Sequence, residues 1–416
     1  MRCLFLLLLG SLSASSLYAK SDLPLLESKM WNFLLDTQVR DNKIVRTKGG
    51  WPSFSRFRGT NIQSQESNSF VTSQLLVAIS SIEKNYELPG FTAASNEANQ
   101  FLDLFLEDAK KTNEPDGTMA YWPLLQTASG KWIRSFSTSF PYNRLKPFNV
   151  PNDLDVSANY FIWIYNNNNN HPEFFEAFEK TAGDYTDSSR SLHHKNDLNW
   201  KKKNSGAFLT WIDPDKSEDP QTRIYRGIND VDCVVNLNVL SALLTYKNKL
   251  GVLSSKTEHA YKDSCKLINE AVANKKTSVC AVWYDRSSQF YTAYAKAFSA
   301  QGNLECLNDS LEAAKVDVLE KARDSLTHFE SGNYTQIAEY ITLMKKLWKP
   351  ESRGSNVRHM LEQLADKLRE GIVVTNNHAY VSSTDSLFIT KLGPVTVDWY
   401  SQQFSTAIAL EAMLLP

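Results

Sequence analysis

Helical segments of two kinds alternate six times along this chain, and that alternation limits the folds open to it. One series is amphipathic: Leu23 to Val39, Ala93 to Lys111, Pro172 to Ala182, Lys256 to Asn274, Leu307 to His328 and Asn356 to Glu370. Each is followed by a segment that is apolar or small nearly all round: Asn68 to Ile82, Asp153 to Tyr165, Asp230 to Tyr246, Ser287 to Ser299, Tyr334 to Leu347 and Trp399 to Leu415. A single apolar stripe buries one face of a helix, whereas a helix apolar on every side must be screened on every side. The first series therefore predicts outer helices and the second inner ones. The links at Gly49-Gly50-Trp51-Pro52, Thr118 to Leu125 with Trp132 to Phe136, Ala207 to Ile212, Val279 to Tyr284 and Ile372 to Val397 are aromatic and β-branched, bounded by Gly, Pro, Asn and Asp. That composition suits short hairpins. Six pairs closing on themselves make an all-α (α/α)6 toroid of inner and outer helices with β-hairpin links at one mouth. An open solenoid, or fewer and longer pairs, is the alternative. One domain is expected over residues 20–416.

The pattern Asn-Asp-aliphatic-Asp-x-x-x-Asn occurs twice, as Asn152-Asp153-Leu154-Asp155-Val156-Ser157-Ala158-Asn159 and as Asn229-Asp230-Val231-Asp232-Cys233-Val234-Val235-Asn236. A fixed internal period is the mark of repeat architecture. Each copy runs into an inner helix, so the acidic pair is expected on a first turn. Capping and the helix dipole explain an Asp there without further function. The duplication with Asn adds a second reading, because Asp155 and Asn159 share a face, as do Asp232 and Asn236. Polar side chains on a buried helix need partners or a wet cavity. Two carboxylates facing across such a cavity divide acid and base roles. Asp155 and Asp232 are expected to be catalytic, with Asp153 and Asp230 capping or orienting them and Asn159 and Asn236 binding substrate. Alternatively, these side chains hydrogen-bond between neighbouring helices and lock the ring.

The links that feed the mouth carry arginines and aromatics, among them Trp51, Arg56, Arg58, Tyr121, Trp132, Tyr142, Arg144, Trp211, Arg223, Tyr225, Arg226, Trp283, Tyr284, Arg286 and Trp399. Aromatic faces stack on sugar rings and also stabilise cations. Arginines either neutralise the acidic pairs or clamp an anionic ligand. Arg144, Arg226, Trp211, Tyr225, Trp283 and Tyr284 are expected to bind substrate. No metal and no cofactor are expected: His193-His194 lies in a Lys-rich loop and no histidine set has zinc spacing. The stretch Asn376-Asn377-His378-Ala379-Tyr380 slightly resembles one in toroidal alginate lyases, and chance explains so short a match in an expected hairpin.

The stretch Pro151-Asn152-Asp153-Leu154-Asp155-Val156-Ser157-Ala158, ahead of an apolar helix, resembles the acidic motif Asp-x-Asp-Asp-Thr-Ala of class II terpenoid cyclases, in the terpenoid cyclase and protein prenyltransferase toroid superfamily. The resemblance implies the toroid fold. It carries over to Asp153, Asp155, Ser157 and Ala158, while Val156 stands where the family has another Asp. It therefore supports fold more than reaction. The toroid is also similar to those of glycoside hydrolases and polysaccharide lyases.

Arg2, the apolar run Leu4 to Leu9 and the small residues ending at Ala19 have the layout of a secretory signal over residues 1–19. No later stretch approaches a membrane span. Cys233, Cys265, Cys280 and Cys306 would remain after its removal, an even number suited to an oxidising compartment. Cys233 reads as a free, buried small hydrophobe, leaving Cys265–Cys280 or Cys280–Cys306 as staples. Lysine and arginine total 45 against 46 acidic residues, so there is no basic footprint for nucleic acid. The expected protein is an exported, periplasmic or secreted monomer that takes a small-molecule or oligosaccharide ligand. Glycan-active carboxylate chemistry is the favoured reading, with a terpenoid-cyclase-like enzyme and a non-catalytic glycan- or protein-binding toroid as alternatives.

Overall fold

The computed structural model describes residues 20–41, 48–58, 63–112, 114–126, 130, 132–134, 151–167, 171–189, 204–212, 230–284, 286–299, 304–384, 386–392 and 395–416. The expected signal at 1–19, together with Tyr142, Arg144, His193, His194, Arg223, Tyr225 and Arg226, lies outside the described residues.

In chain order the described helices are α1 (Leu25–Thr37), α2 (Ser69–Glu83), α3 (Phe91–Lys111), α4 (Leu154–Asn166), α5 (Pro172–Asp184), α6 (Cys233–Lys249), α7 (Ser255–Ala273), the single turn α8 (Thr277–Cys280), α9 (Ser287–Ser299), α10 (Leu311–Thr327), α11 (Tyr334–Leu347), α12 (Ser355–Glu370) and α13 (Gln402–Leu414). Helices α2, α4, α6, α9, α11 and α13 each pack on the next, and α13 packs back on α2. The inner ring is closed. Around it, α1 lies on α13, α3 on α2, α5 on α4 and α6, α7 on α6, α10 on α9 and α11, and α12 on α11. The chain has the expected α/α toroid fold.

Burial follows the two sequence patterns. Outer α12 buries only Val357, Met360, Leu364 and Leu368, one stripe at helical spacing. Inner α6 buries every residue from Cys233 to Leu243, and Thr245 beyond them. Side-chain caps fix where several inner helices start. Asn68 accepts from Val71 N–H at 2.7 Å, Asp153 from Val156 N–H at 2.6 Å, and Ser401 from Phe404 N–H at 3.2 Å. Each satisfies an N–H that the helix itself leaves orphaned.

The links form small sheets. Strands β1 (Pro52–Phe57) and β2 (Gln63–Ser67) join β9 (Phe388–Leu392) and β10 (Val395–Tyr400) in an antiparallel sheet of order β2-β1-β10-β9. Its register sets Phe54 opposite Tyr400 and Arg56 opposite Asp398, so the first link is stitched to the last. Strand β3 (Met119–Ala120) pairs with β6 (Asn152–Asp153), β4 (Leu124–Gln126) with β5 (Trp132–Arg134), and β7 (Ile372–Val374) with β8 (Ala379–Val381). The expected strand at Val279 to Tyr284 is instead the turn α8 and an irregular segment.

Its reason lies in the cysteines, where the expectation also needs correction. Cys233 is bonded to Cys280 with Cα atoms 5.3 Å apart, and Cys265 to Cys306 at 5.8 Å. Cys233 is therefore not free, and neither expected staple forms. The α8 turn presents Cys280 to the start of α6. The disulfides are compatible with an exported protein. Among the described residues no helix is long and apolar enough to cross a membrane.

Candidate active site

Counting from the first residue of each inner helix, the second positions are Phe70, Asp155, Val234, Ser288, Thr335 and Gln403, and the sixth are Gln74, Asn159, Asn238, Thr292, Glu339 and Ala407. Residues four apart share a helix face. Several of these positions line one cavity inside the ring, whose walls include Phe70, Gln74, Val234, Asn238, Tyr284, Gln289, Thr292, Lys296, Glu339 and Phe404. An otherwise apolar helix thus turns its polar residues toward the axis.

Among the described residues, Glu339 is the carboxylate on the cavity wall, and Asp155 lies behind that wall, bound by two of its residues, Asn238 and Tyr284. Asp155 Oδ1 accepts from Asn238 Nδ2 at 2.6 Å and from Asn159 Nδ2 at 3.2 Å, and the Tyr284 hydroxyl donates to its Oδ2. Burial pushes the Asp155 pKa up, against the lowering effect of these bonds. Burial, then the charge of Asp155, pushes the Tyr284 phenol well above its ordinary range, so it stays protonated and donating.

The other motif aspartates are placed differently. Asp153 and Asp232 are both N-caps, of α4 and α6. Asp232 accepts from Val234 and Val235 N–H at 2.7 and 3.1 Å through Oδ1, and from Trp283 N–H at 2.8 Å through Oδ2. Both its oxygens are thus engaged by backbone, and α6 adjoins α4 rather than facing it. The expected opposition of Asp155 and Asp232 across a pocket is not formed. Burial raises Asp232 to about 7 despite three backbone donors, and raises Asp153 well above its usual range with Asp155 adding to the effect. Asp230 is buried ahead of α6, where its carbonyl accepts from Thr210 N–H.

The expectation of a paired acidic first turn needs the same correction. In the first copy Asp153 caps and Asp155 sits inside the helix; in the second Asp232 caps and Asp230 precedes it. Cap to cap, Asp153 matches Asp232 and Asn159 matches Asn238. The repeat in the sequence is two residues out of step with the repeat in space. Asn236 faces away from Asp155, holding Phe208 through both its amide atoms and accepting from Ser264 Oγ at 2.6 Å.

Further polar groups were not singled out from sequence. Buried Glu66 accepts from Ser53, Asn68 and Trp122 at 2.8–2.9 Å, and burial raises it to about 7. Glu339 is ion-paired with Arg286 at 2.9 Å and accepts from Ser288 Oγ at 2.6 Å. Lys296 lines the cavity and has no hydrogen-bond or ion-pair partner among the described residues, and burial lowers its pKa. The signal for Lys296 and Glu411 was present in the sequence, each being the one charged residue of an inner helix, α9 and α13.

Of the expected mouth residues, Arg56 and Arg58 are paired with Asp398, at 3.6 and 2.5 Å. Trp211 and Trp283 meet edge to face at 5.5 Å between centroids. Tyr121 stacks on Phe70 at 5.7 Å, and Phe70 in turn lies 6.4 Å from Tyr284. His378 lies in the β7–β8 hairpin against Asp36 at 2.8 Å, on the α1 side of the ring and not among the cavity walls.

No protein-family model matches the chain. No curated protein matches it either. Solved structures match in fold. The type II terpene cyclase MstE from Scytonema aligns with a TM-score of 0.54 at 13% identity, over 93% of this chain and 97% of that one. The ent-copalyl diphosphate synthase from Streptomyces platensis gives 0.50 at 13%, over 83% of this chain and 50% of that one, so this chain spans half the synthase's length. A protein from Actinoplanes gives 0.50 at 11%, over 93% and 98%. At these identities the likeness establishes the toroid fold.

Proposed function

We propose that this chain is an exported enzyme that acts on a glycan in its central cavity, with Asp155 as the acid/base carboxylate. The observation that carries the reading is the donor set of Asp155. Among the described residues, Asp155 accepts from side chains of the cavity wall, Asn238 and Tyr284, whereas Asp153 and Asp232 accept from the backbone at a helix start. Burial raises the pKa of Asp155, the direction in which a general acid is tuned. Glu339 is its counterpart in this reading: α11 stands opposite α4 in the ring of six, and Arg286 pairs with Glu339. One carboxyl donates while the other activates water or withdraws a proton. Asp153 and Asp232 build the site by fixing the starts of α4 and α6, and Asn159 and Asn238 orient Asp155. The disulfides and the leader-like residues 1–19 support export.

Isoprenoid cyclisation is the second reading, favoured by the fold match to MstE and by the aromatic pair Phe70 and Tyr284. Lys296 speaks against it, because an ammonium on the cavity wall repels a carbocation wherever it is charged. Incubating residues 20–416 with a panel of acidic and neutral polysaccharides, and with prenyl diphosphates and squalene, separates the two. New reducing ends or unsaturated products support the glycan reading. Turnover of the isoprenoids alone would overturn it.

A further inference from the structure

Lys296 is the tenth residue of α9, two turns below the second-position level at which Asp155 sits on α4. Helical side chains lean toward the helix N-terminus, so its ammonium rises toward the sixth-position ring that contains Glu339 and Asn238. The carboxylates around it already have donors, with Oε2 of Glu411 the oxygen left without one among the described residues. Glu339 has Arg286 and Ser288; Glu411 has Lys346 at 2.7 Å and Ser81 at 3.0 Å; Asp155 has Tyr284, Asn238 and Asn159. The Lys296 ammonium makes no hydrogen bond or ion pair among the described residues, although the charges of Glu411, Glu339 and Asp155 favour its protonated form. Beside Lys296 on the same wall, buried Thr292 Oγ1 has no hydrogen-bond partner among the described residues. A cation on the cavity wall and a buried hydroxyl beside it, neither paired among the described residues, are together suited to a ligand that completes both.

We propose that Lys296 and Thr292 form a subsite for a singly charged anionic substituent, so that the substrate of this cavity is an acidic glycan whose sugar carries a carboxylate or a sulfate. The inference rests on the glycan reading above and deepens it. Lys296 donates to the anion as a point charge, Thr292 adds a hydroxyl donor, and Gln74 lines the same space. Asp155 then lies toward the mouth from the anchored group, so the anion fixes which bond of the sugar reaches the acid.

The test is calorimetric titration of residues 20–416 with glucuronate, galacturonate, glucose 6-sulfate and glucose, on wild type, Lys296→Met and Thr292→Val. The expected result is binding of at least one anionic sugar and none of glucose. Lys296→Met should weaken that binding roughly ten- to hundredfold, the worth of a charge-assisted hydrogen bond. A preference between uronate and sulfate identifies the source of the charge. Glucose binding as well as its acidic forms, or Lys296→Met binding them as wild type does, overturns the subsite. Should Lys296→Met not fold, the wild-type comparison and Thr292→Val still decide. Binding is read apart from turnover. Lys296-dependent uronate binding with no polysaccharide cleaved sinks the enzyme reading and leaves the subsite, whereas cleavage of neutral polymers alone does the reverse.

Discussion

Asp155 and Asp232 occupy like places in the sequence and unlike places in the molecule, so their variants should separate. Asp155→Asn keeps the shape and removes the titrating group; turnover should fall roughly 10²- to 10⁴-fold, the usual worth of a general acid, with the melting temperature nearly unchanged. Asp232→Ala should cost about 2–3 kcal/mol in denaturant unfolding, through the lost cap and the orphaned Trp283 N–H. Equal loss of activity and stability in both variants would refute the division of roles. Burial also makes a pH prediction. Glu66 is raised from 4.5 to about 7 and Asp232 from 3.8 to about 7. A carboxyl whose folded pKa lies above its unfolded one lends stability that is complete below the unfolded value and lost as pH rises through the folded one. Each loss is about 3 kcal/mol between pH 4.5 and 7. Lys296, lowered by burial, acts in the opposite sense on the alkaline side. Melting temperature should therefore fall from pH 5 to pH 8, and Glu66→Gln should flatten part of that fall; a wild-type melting curve level over this range contradicts it. Asp155 was legible because an acidic residue inside a buried helix needs a reason. Asn238 was not legible, because the repeated letters put Asn236 in register with Asn159 and only the cap positions of Asp153 and Asp232 put Asn238 there.

At the scale of elements, the alternation of stripe and all-round apolar character located the inner and outer helices to within a few residues, since burial on one face or on all is written in every turn. Strand partners were not legible. The short links carry no register of their own, and β1 finds β10 only because the ring brings them together. The disulfides were equally hidden, since pairing depends on which helix ends meet. Cys265–Cys306 ties α7 to the turn before α10 across 41 residues, and loop-closure entropy puts its removal at about 4 kcal/mol. Cys265→Ser with Cys306→Ser should lower the denaturant midpoint accordingly, and thiol counting on the oxidised wild type after removal of residues 1–19 should find no free cysteine. A full complement of reactive thiols would remove the disulfides and, with them, their support for export.

For the molecule as a whole, the ring has no free end: α13 packs on both α11 and α2 and carries α1 on its outer side. Deleting residues 395–416 should therefore abolish cooperative unfolding altogether, where an open solenoid would lose one repeat and keep the rest. A truncated chain that still melts sharply would contradict closure. The stitch between β1 and β10 has a consequence in time. Its partners, Arg56 and Asp398, stand some 340 residues apart, so the contact has nearly the greatest sequence separation the chain allows. Contacts of that kind form late, after shorter loops have closed. The cavity is complete only when the last helix docks. Synthesis from the N-terminus must thus deliver the residues of α13 before the cavity is enclosed, and a chain stalled ahead of them lacks one of its walls.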